Sequence, residues 1–211
     1  MQKNKTLLIN HVKEHATIYL FMVILFLTGV IFGAILVNSM NFVQKQDLFF
    51  YLERFFKQIT DNEQANYDEI FKNSFFYHIK YLLLLFVLGL SVIGLPLVWI
   101  LIFLKGLVIG FSVGFMVNQL GMNGLLIATL SIAPQNFLII PVYIVAGSLA
   151  MIFSLTLLSK LFTNKIAQPV FQPFGRYVIL FSLLALFASV AALLETFIAN
   201  EAMQWVVRSF Y

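Results

Sequence analysis

The fold class this chain predicts is all-α: a polytopic membrane protein with five transmembrane helices, a re-entrant half-helix and an external amphipathic helical segment. Three observations lead there. Of 211 residues, 61% are hydrophobic and only 10% charged, far from the balance of a soluble domain. Charge is absent from long runs, including all 54 residues from Gly106 to Ser159. The basic residues gather in some connecting segments and mix with acids in others, as the positive-inside rule requires of alternating loops. All 211 residues read as a single integral membrane domain. There are no cysteines, which excludes disulfides, thiolate metal sites and cysteine nucleophiles. The net charge of +4 forms no compact basic stripe, so nucleic acid is not an expected partner.

Residues 1–16 carry Lys3, Lys5 and Lys13 against Glu14 and read as a cytoplasmic lead-in. His11 and His15 share a helix face there, but no third ligand accompanies them, and no metal is expected. The first span is 17–37, about 21 residues or roughly 31 Å of helix, enough to cross the hydrocarbon core. Its length and the absence of an A-x-A-like site argue against a cleaved leader. Gly29 and Gly33 lie on one face of it.

Residues 38–73 form the external helical segment, part of a polar stretch reaching Lys80 with mixed acids and bases. Leu48, Leu52, Phe55, Phe56 and Ile59 recur at helical spacing, with Glu53 and Lys57 as an i,i+4 pair, so about 45–60 is an amphipathic helix. Leu52, Phe55, Phe56 and Ile59 are the candidate partner-binding residues. The same face suits either the outer leaflet or a protein. Asn66 with Glu69 resembles a capping box for the next helix.

The second span is 74–94 and the third 97–120, because turn chemistry at Gly94-Leu95-Pro96 divides the apolar run into two helices of crossing length. Trp99 then sits in the cytoplasmic aromatic belt, and Lys105 roughly 9 Å inside it, either snorkelling or serving as an intramembrane cation. Gly106, Gly110 and Gly114 recur every four residues. They leave a groove without side chains where another backbone can approach, within this protein or from a second copy in a homo-oligomer.

Leu125 to Ala133 is too short to cross and too apolar for a loop. It reads as a re-entrant half-helix ended by Pro134, with Gln135 and Asn136 at membrane depth. The fourth span is 137–159. A basic, cytoplasmic loop occupies 160–176, the fifth span is 177–199, and an external tail covers 200–211. Glu195 falls near the outer end, in the leaflet opposite Lys105, so the two are not expected to pair.

The segments HVKEHATIYLFMVILFLTGVIFGAILVNS, LKGLVIGFSVGF and APQNFLIIPVYIVAG together resemble the stage II sporulation protein M family, over nearly the whole chain. In the broader family the region of Pro134 to Pro141 often reads P-H-G-x-x-E-x-P. Here Gln135, Asn136 and Ile139 stand at the His, Gly and Glu positions while both prolines remain. The resemblance implies a membrane protein of engulfment, in the mother-cell, septal and engulfing membrane. It further implies an anchor for the sporulation proteins D and P, which cut peptidoglycan on the external side during septal thinning and membrane migration.

Three functional classes compete. A non-enzymatic scaffold is supported by the external aromatic helix and by the absence of HExxH, GxSxG, P-loop or paired intramembrane carboxylates; it needs no cofactor. A small transporter or channel built around the re-entrant segment and Lys105 is the alternative. An intramembrane hydrolase is weakest, since His78 and the scattered serines suggest no dyad.

Overall fold

The computed structural model describes residues 13–61, 67–162 and 171–199. His11, the Asn66 cap, most of the loop before α6 and the tail from 200 onward lie outside the described residues. Every described element is helical: α1 (Ala16–Ser39), α2 (Phe42–Asp61), α3 (Tyr67–Gly89), α4 (Gly94–Ser131), α5 (Ala133–Phe162), α6 (Phe171–Leu194) and a π-helical turn at Glu195–Ala199. Five of these, α1, α3, α4, α5 and α6, are long and apolar enough to cross a membrane.

Helix α1 is apolar all round, so no amphipathic pattern directs its packing; shape does. Met22, Phe26, Gly29, Gly33 and Val37 are buried, while Leu20, Ile24, Leu27, Ile31 and Ile35 are exposed, as a helix bathed in hydrocarbon on one side requires. The inner stripe meshes with α4. A Cβ at Gly29 or Gly33 would strike the carbonyl oxygens of Phe103 and Leu107, and one at Gly106 or Gly110 those of Phe26 and Val30. Each helix therefore supplies glycines where the other's backbone arrives, the arrangement that lets van der Waals contact hold helices together in lipid.

The α3–α4 turn falls at residues 90–93 rather than at 94–96. Gly94 already begins α4, and Pro96 sits in its first turn, where a missing N–H costs nothing. The turn is tied down by Gly94 N–H donating to Ser91 O at 3.1 Å, and by Ser154 Oγ donating to the same carbonyl at 3.0 Å.

At its other end α4 breaks at Gly121, whose φ of 58° is open to glycine but strained for other residues. The helical segment beyond it folds back. Gly124 abuts the Met116 backbone, and buried Ile127 packs on Met116, Leu120 and Leu52 of α2. Pro134 does not end this segment as expected; it lies in the first turn of α5 and opens that helix, for the same reason Pro96 opens α4.

Between the turn and mid-bundle the core is apolar, with Met22, Leu85, Val98, Ile102, Ala146, Ala150 and Phe153 from α1, α3, α4 and α5 closely packed. Gly110→Leu forces side-chain carbons into the Val30 carbonyl and is expected to cost about 1–3 kcal/mol or more by overpacking. Gly114→Ala, whose Cβ would lie 3.2 Å from Ala34 Cα, should be milder. The yield of monodisperse protein in detergent and its Tm check the ranking; equal behaviour of the two variants would contradict it.

Candidate functional site

Along α3 the buried residues are Ser74, His78, Leu82, Leu85 and Gly89, one every three or four positions, so they form a single inward stripe. Its lower part joins the apolar core. Gly89 there admits Tyr177 and Ala150 at close range, and Tyr177 Oη donates to Phe86 O at 3.0 Å. The upper part is polar, and polar groups inside a bilayer must find partners within the protein.

They find them on three other elements. Ser74 Oγ donates to Glu195 Oε2 at the start of the π-helical turn. His78 Nε2 faces the same oxygen at 3.4 Å, with the imidazole 5% and the carboxylate side chain 30% exposed. On its other side, His78 Nδ1 lies 2.7 Å from Tyr143 Oη of α5. A π-helical turn widens the backbone locally and is frequent at functional sites. Here it delivers Glu195 to α3 and buries Thr196, whose Oγ1 donates to Ala192 O at 2.8 Å.

Lys105 completes the cluster from α4. Its Nζ donates to Tyr77 Oη at 3.2 Å and stands 4.7, 5.6 and 5.0 Å from the ring centroids of Tyr77, Tyr81 and Tyr143, three cation–π contacts. Tyr81 is fixed for this by donating to Leu101 O at 2.7 Å, one turn below Lys105. Its ring centroid lies 4.4 Å from that of Tyr143. Lys105 is thus held inward by an aromatic cage.

The expected separation of Lys105 and Glu195 between leaflets is overturned, because the two belong to one cluster, linked through Tyr143 and His78. The reason is depth. Counted from the turn, Lys105 is 11 residues above Gly94 (94 to 105) and His78 is 11 above the end of α3 (78 to 89), each about 16 Å of helix. The shorter count from Trp99 placed Lys105 too low. Sequence reasoning also missed Ser74, Tyr77, His78, Tyr81 and Tyr143. The available signal was the i,i+4 repeat of Ser74 and His78 in phase with Leu82, on the inward face.

The other residues singled out by the sequence lie elsewhere. Gly29, Gly33, Gly106 and Gly110 line the α1–α4 contact, and Gly114 faces Ala34. Asn136 Nδ2 donates to Ile132 O at 2.7 Å, and the side chain of Gln135 lies outside the described residues. Leu52 rests on Ile127, whereas the side chains of Phe55, Phe56 and Ile59 are outside the described residues. An open cleft beside the glycine contact, lined by Val30, Ala34, Asn38, Gly114 and Asn118 among others, shares no residue with the polar cluster.

Comparison with known proteins decides the family. The model of stage II sporulation protein M matches residues 22–200, a stretch that contains all five spanning helices from Met22 of α1 onward together with the whole polar cluster. The chain belongs to the stage II sporulation protein M family. No curated protein and no solved structure matches it. Family membership makes this a sporulation-related membrane protein, and the Lys105–Glu195 cluster lies within the matched residues.

Removing one member of the cluster leaves buried polar atoms without partners. Tyr143→Phe is expected to destabilise the protein by about 1–3 kcal/mol, since it strips His78 Nδ1 of its neighbour while preserving ring packing. A Tm in detergent equal to wild type would show that this contact carries no weight.

Proposed function

We propose that this member of the stage II sporulation protein M family is a non-enzymatic scaffold of the engulfment machinery. In this reading it sits in the septal and engulfing membrane and anchors the peptidoglycan-cutting sporulation proteins D and P on the external face. The amino terminus and the 90–93 turn face the cytoplasm, and α2 and the carboxyl terminus lie outside.

The observation that carries the reading is α2. It is a 20-residue helix set apart from the five spanning helices, resting on the folded-back segment through Leu52 and Ile127 and exposing Phe42, Val43, Phe50 and Tyr51. Arg54 lies over the Phe50 ring at 4.9 Å, and Glu53 pairs with Lys57 at 3.1 Å. An aromatic face rimmed by charges suits protein docking, where buried rings carry most of the energy. A conduit is less well supported. The polar cluster stops at His78, and the stripe below it continues as Leu82, Leu85 and Gly89 into a closely packed apolar core. Hydrolysis is also less well supported, because Ser74 donates to Glu195 and leaves His78 engaged with Tyr143.

Two experiments test the scaffold reading. Phe50→Leu with Tyr51→Leu, at the exposed rings of this face, should reduce co-purification of the D and P equivalents at unchanged levels of inserted chain, because a docking face needs ring shape whereas a leaflet needs only apolar area. Undiminished recruitment would assign α2 to the membrane. For orientation, single cysteines introduced into this cysteine-free chain should react with an impermeant external reagent at position 46 and not at position 92. The reverse pattern would invert the topology.

A further inference from the structure

The end of the bundle away from the 90–93 turn holds a second apolar cluster, separate from the main core. Ile127, 2% exposed, is packed there by Met116 and Leu120 of α4 and by Leu52 of α2. No described side chain of α2 joins the main core, so this is the seat by which α2 rests on the bundle. At its other end α2 is not a continuation of α1. Met40 between them is extended, with ψ of 139°, and the Asn41 N–H donates to Gln44 Oε1 at 3.0 Å, the reach-back of a capping box that starts a new helix.

The segment that carries Ile127 depends on this seat. Residues 122–131 form a helical piece of about ten residues, too few to hold their own turns without packing. Gly124, Ile127 and Ala128 are its buried positions, on one face, and Gly124 lies so near the Met116 carbonyl oxygen that a Cβ would collide with it. The chain reaches that position through Gly121, at φ 58° and ψ −131°, a backbone conformation that other residues adopt only under strain. A Cβ at Gly121 would meet nothing within 4 Å, so the constraint there is conformational alone. Beyond the segment, Ile132 N–H donates to Ala128 O at 2.9 Å and Asn136 Nδ2 to Ile132 O at 2.7 Å, which ties it to the first turn of α5. A unit that buries so little apolar surface opens more readily than the core. Leu52 is therefore a large share of what keeps it closed.

We propose that the Leu52–Ile127 contact is a latch: seating of α2 holds the folded-back segment closed, and occupation of the exposed face of α2 is thereby transmitted to the start of α5. The docking and latching faces are distinct. Phe50 is two residues from Leu52 and so lies on the opposite side of the helix, exposed while Leu52 is half-buried. A partner can hold the rings with the latch closed. One that requires α2 in its seated orientation binds the latched state more tightly and stabilises it by the same factor. What occupies α2 rests on the scaffold reading; the latch itself does not.

Amide exchange of the full chain in detergent tests this. Leu52→Ala is expected to lower protection at 122–131 by about tenfold, as loss of a half-buried leucine contact implies, while protection at 142–153 of α5 stays at the wild-type level. Gly121→Ala, which adds only strain, should lower protection of the same amides. Unchanged protection at 122–131 in either variant, or a fall that extends equally to 142–153, overturns the latch. Adding the purified D and P equivalents should raise protection at 122–131 in the wild type and not in Leu52→Ala. Wild-type protection that stays flat while those partners co-purify overturns the transmission and leaves the scaffold reading standing. Failure of the partners to co-purify removes that reading instead, and Leu52→Ala still decides the latch.

Discussion

Close backbone contact along Gly29, Gly33, Gly106 and Gly110 fixes α4 against α1, and the remaining helices take their places relative to α4. In hydrocarbon no hydrophobic effect drives one apolar helix onto another, so contact distance itself is the source of attraction, and only a residue without a side chain allows the backbones so near. With its glycine face committed to α1, α4 presents Ile102 to the core and Lys105 to α3 and α5. One helix thus carries both the tightest apolar contact and the cation of the cluster.

The cluster follows from that placement. An ammonium about 16 Å above the turn cannot be left in lipid. It is surrounded by the rings of Tyr77, Tyr81 and Tyr143, and its charge is answered through His78 and Tyr143 by Glu195. The partners come from α3, α4, α5 and the end of α6, so the same set of contacts also specifies how these four helices are assembled. Apolar packing alone is tolerant of rotation and sliding; a lysine caged by three rings and a carboxylate reaching the same cluster through His78 are not.

Much of this was legible in the sequence, and the rest was not for identifiable reasons. Apolar runs of spanning length and the four-residue glycine repeat are local patterns, so five membrane-length helices and a small-residue face on α1 and α4 could be read directly. Gly121 and the two turn prolines were visible as punctuation, but whether a proline ends one helix or begins the next depends on where the preceding N–H groups go. Pro96 and Pro134 both proved to be beginnings. The cluster was hidden because its members are far apart in the chain. Lys105 and Glu195 were each judged against an interface inferred from flanking residues, and small errors in that depth put them in opposite leaflets. Register between helices is what brings them together, and a single sequence does not contain it.

Ile139 shows how sharply polar and apolar packing alternate on α5. It is 1% exposed in the core and lies one turn from Tyr143, with Ile139, Val142, Tyr143 and Ala146 buried together on the inward side of the helix. Helix α5 therefore contributes a single phenol to the cluster, and the carboxylate arrives from the π-helical turn after α6. A polar group admitted among close-packed apolar neighbours must have its partner brought to it, so the register of α5 against α3 is set by the Tyr143 hydroxyl beside His78 as much as by the apolar side chains around it.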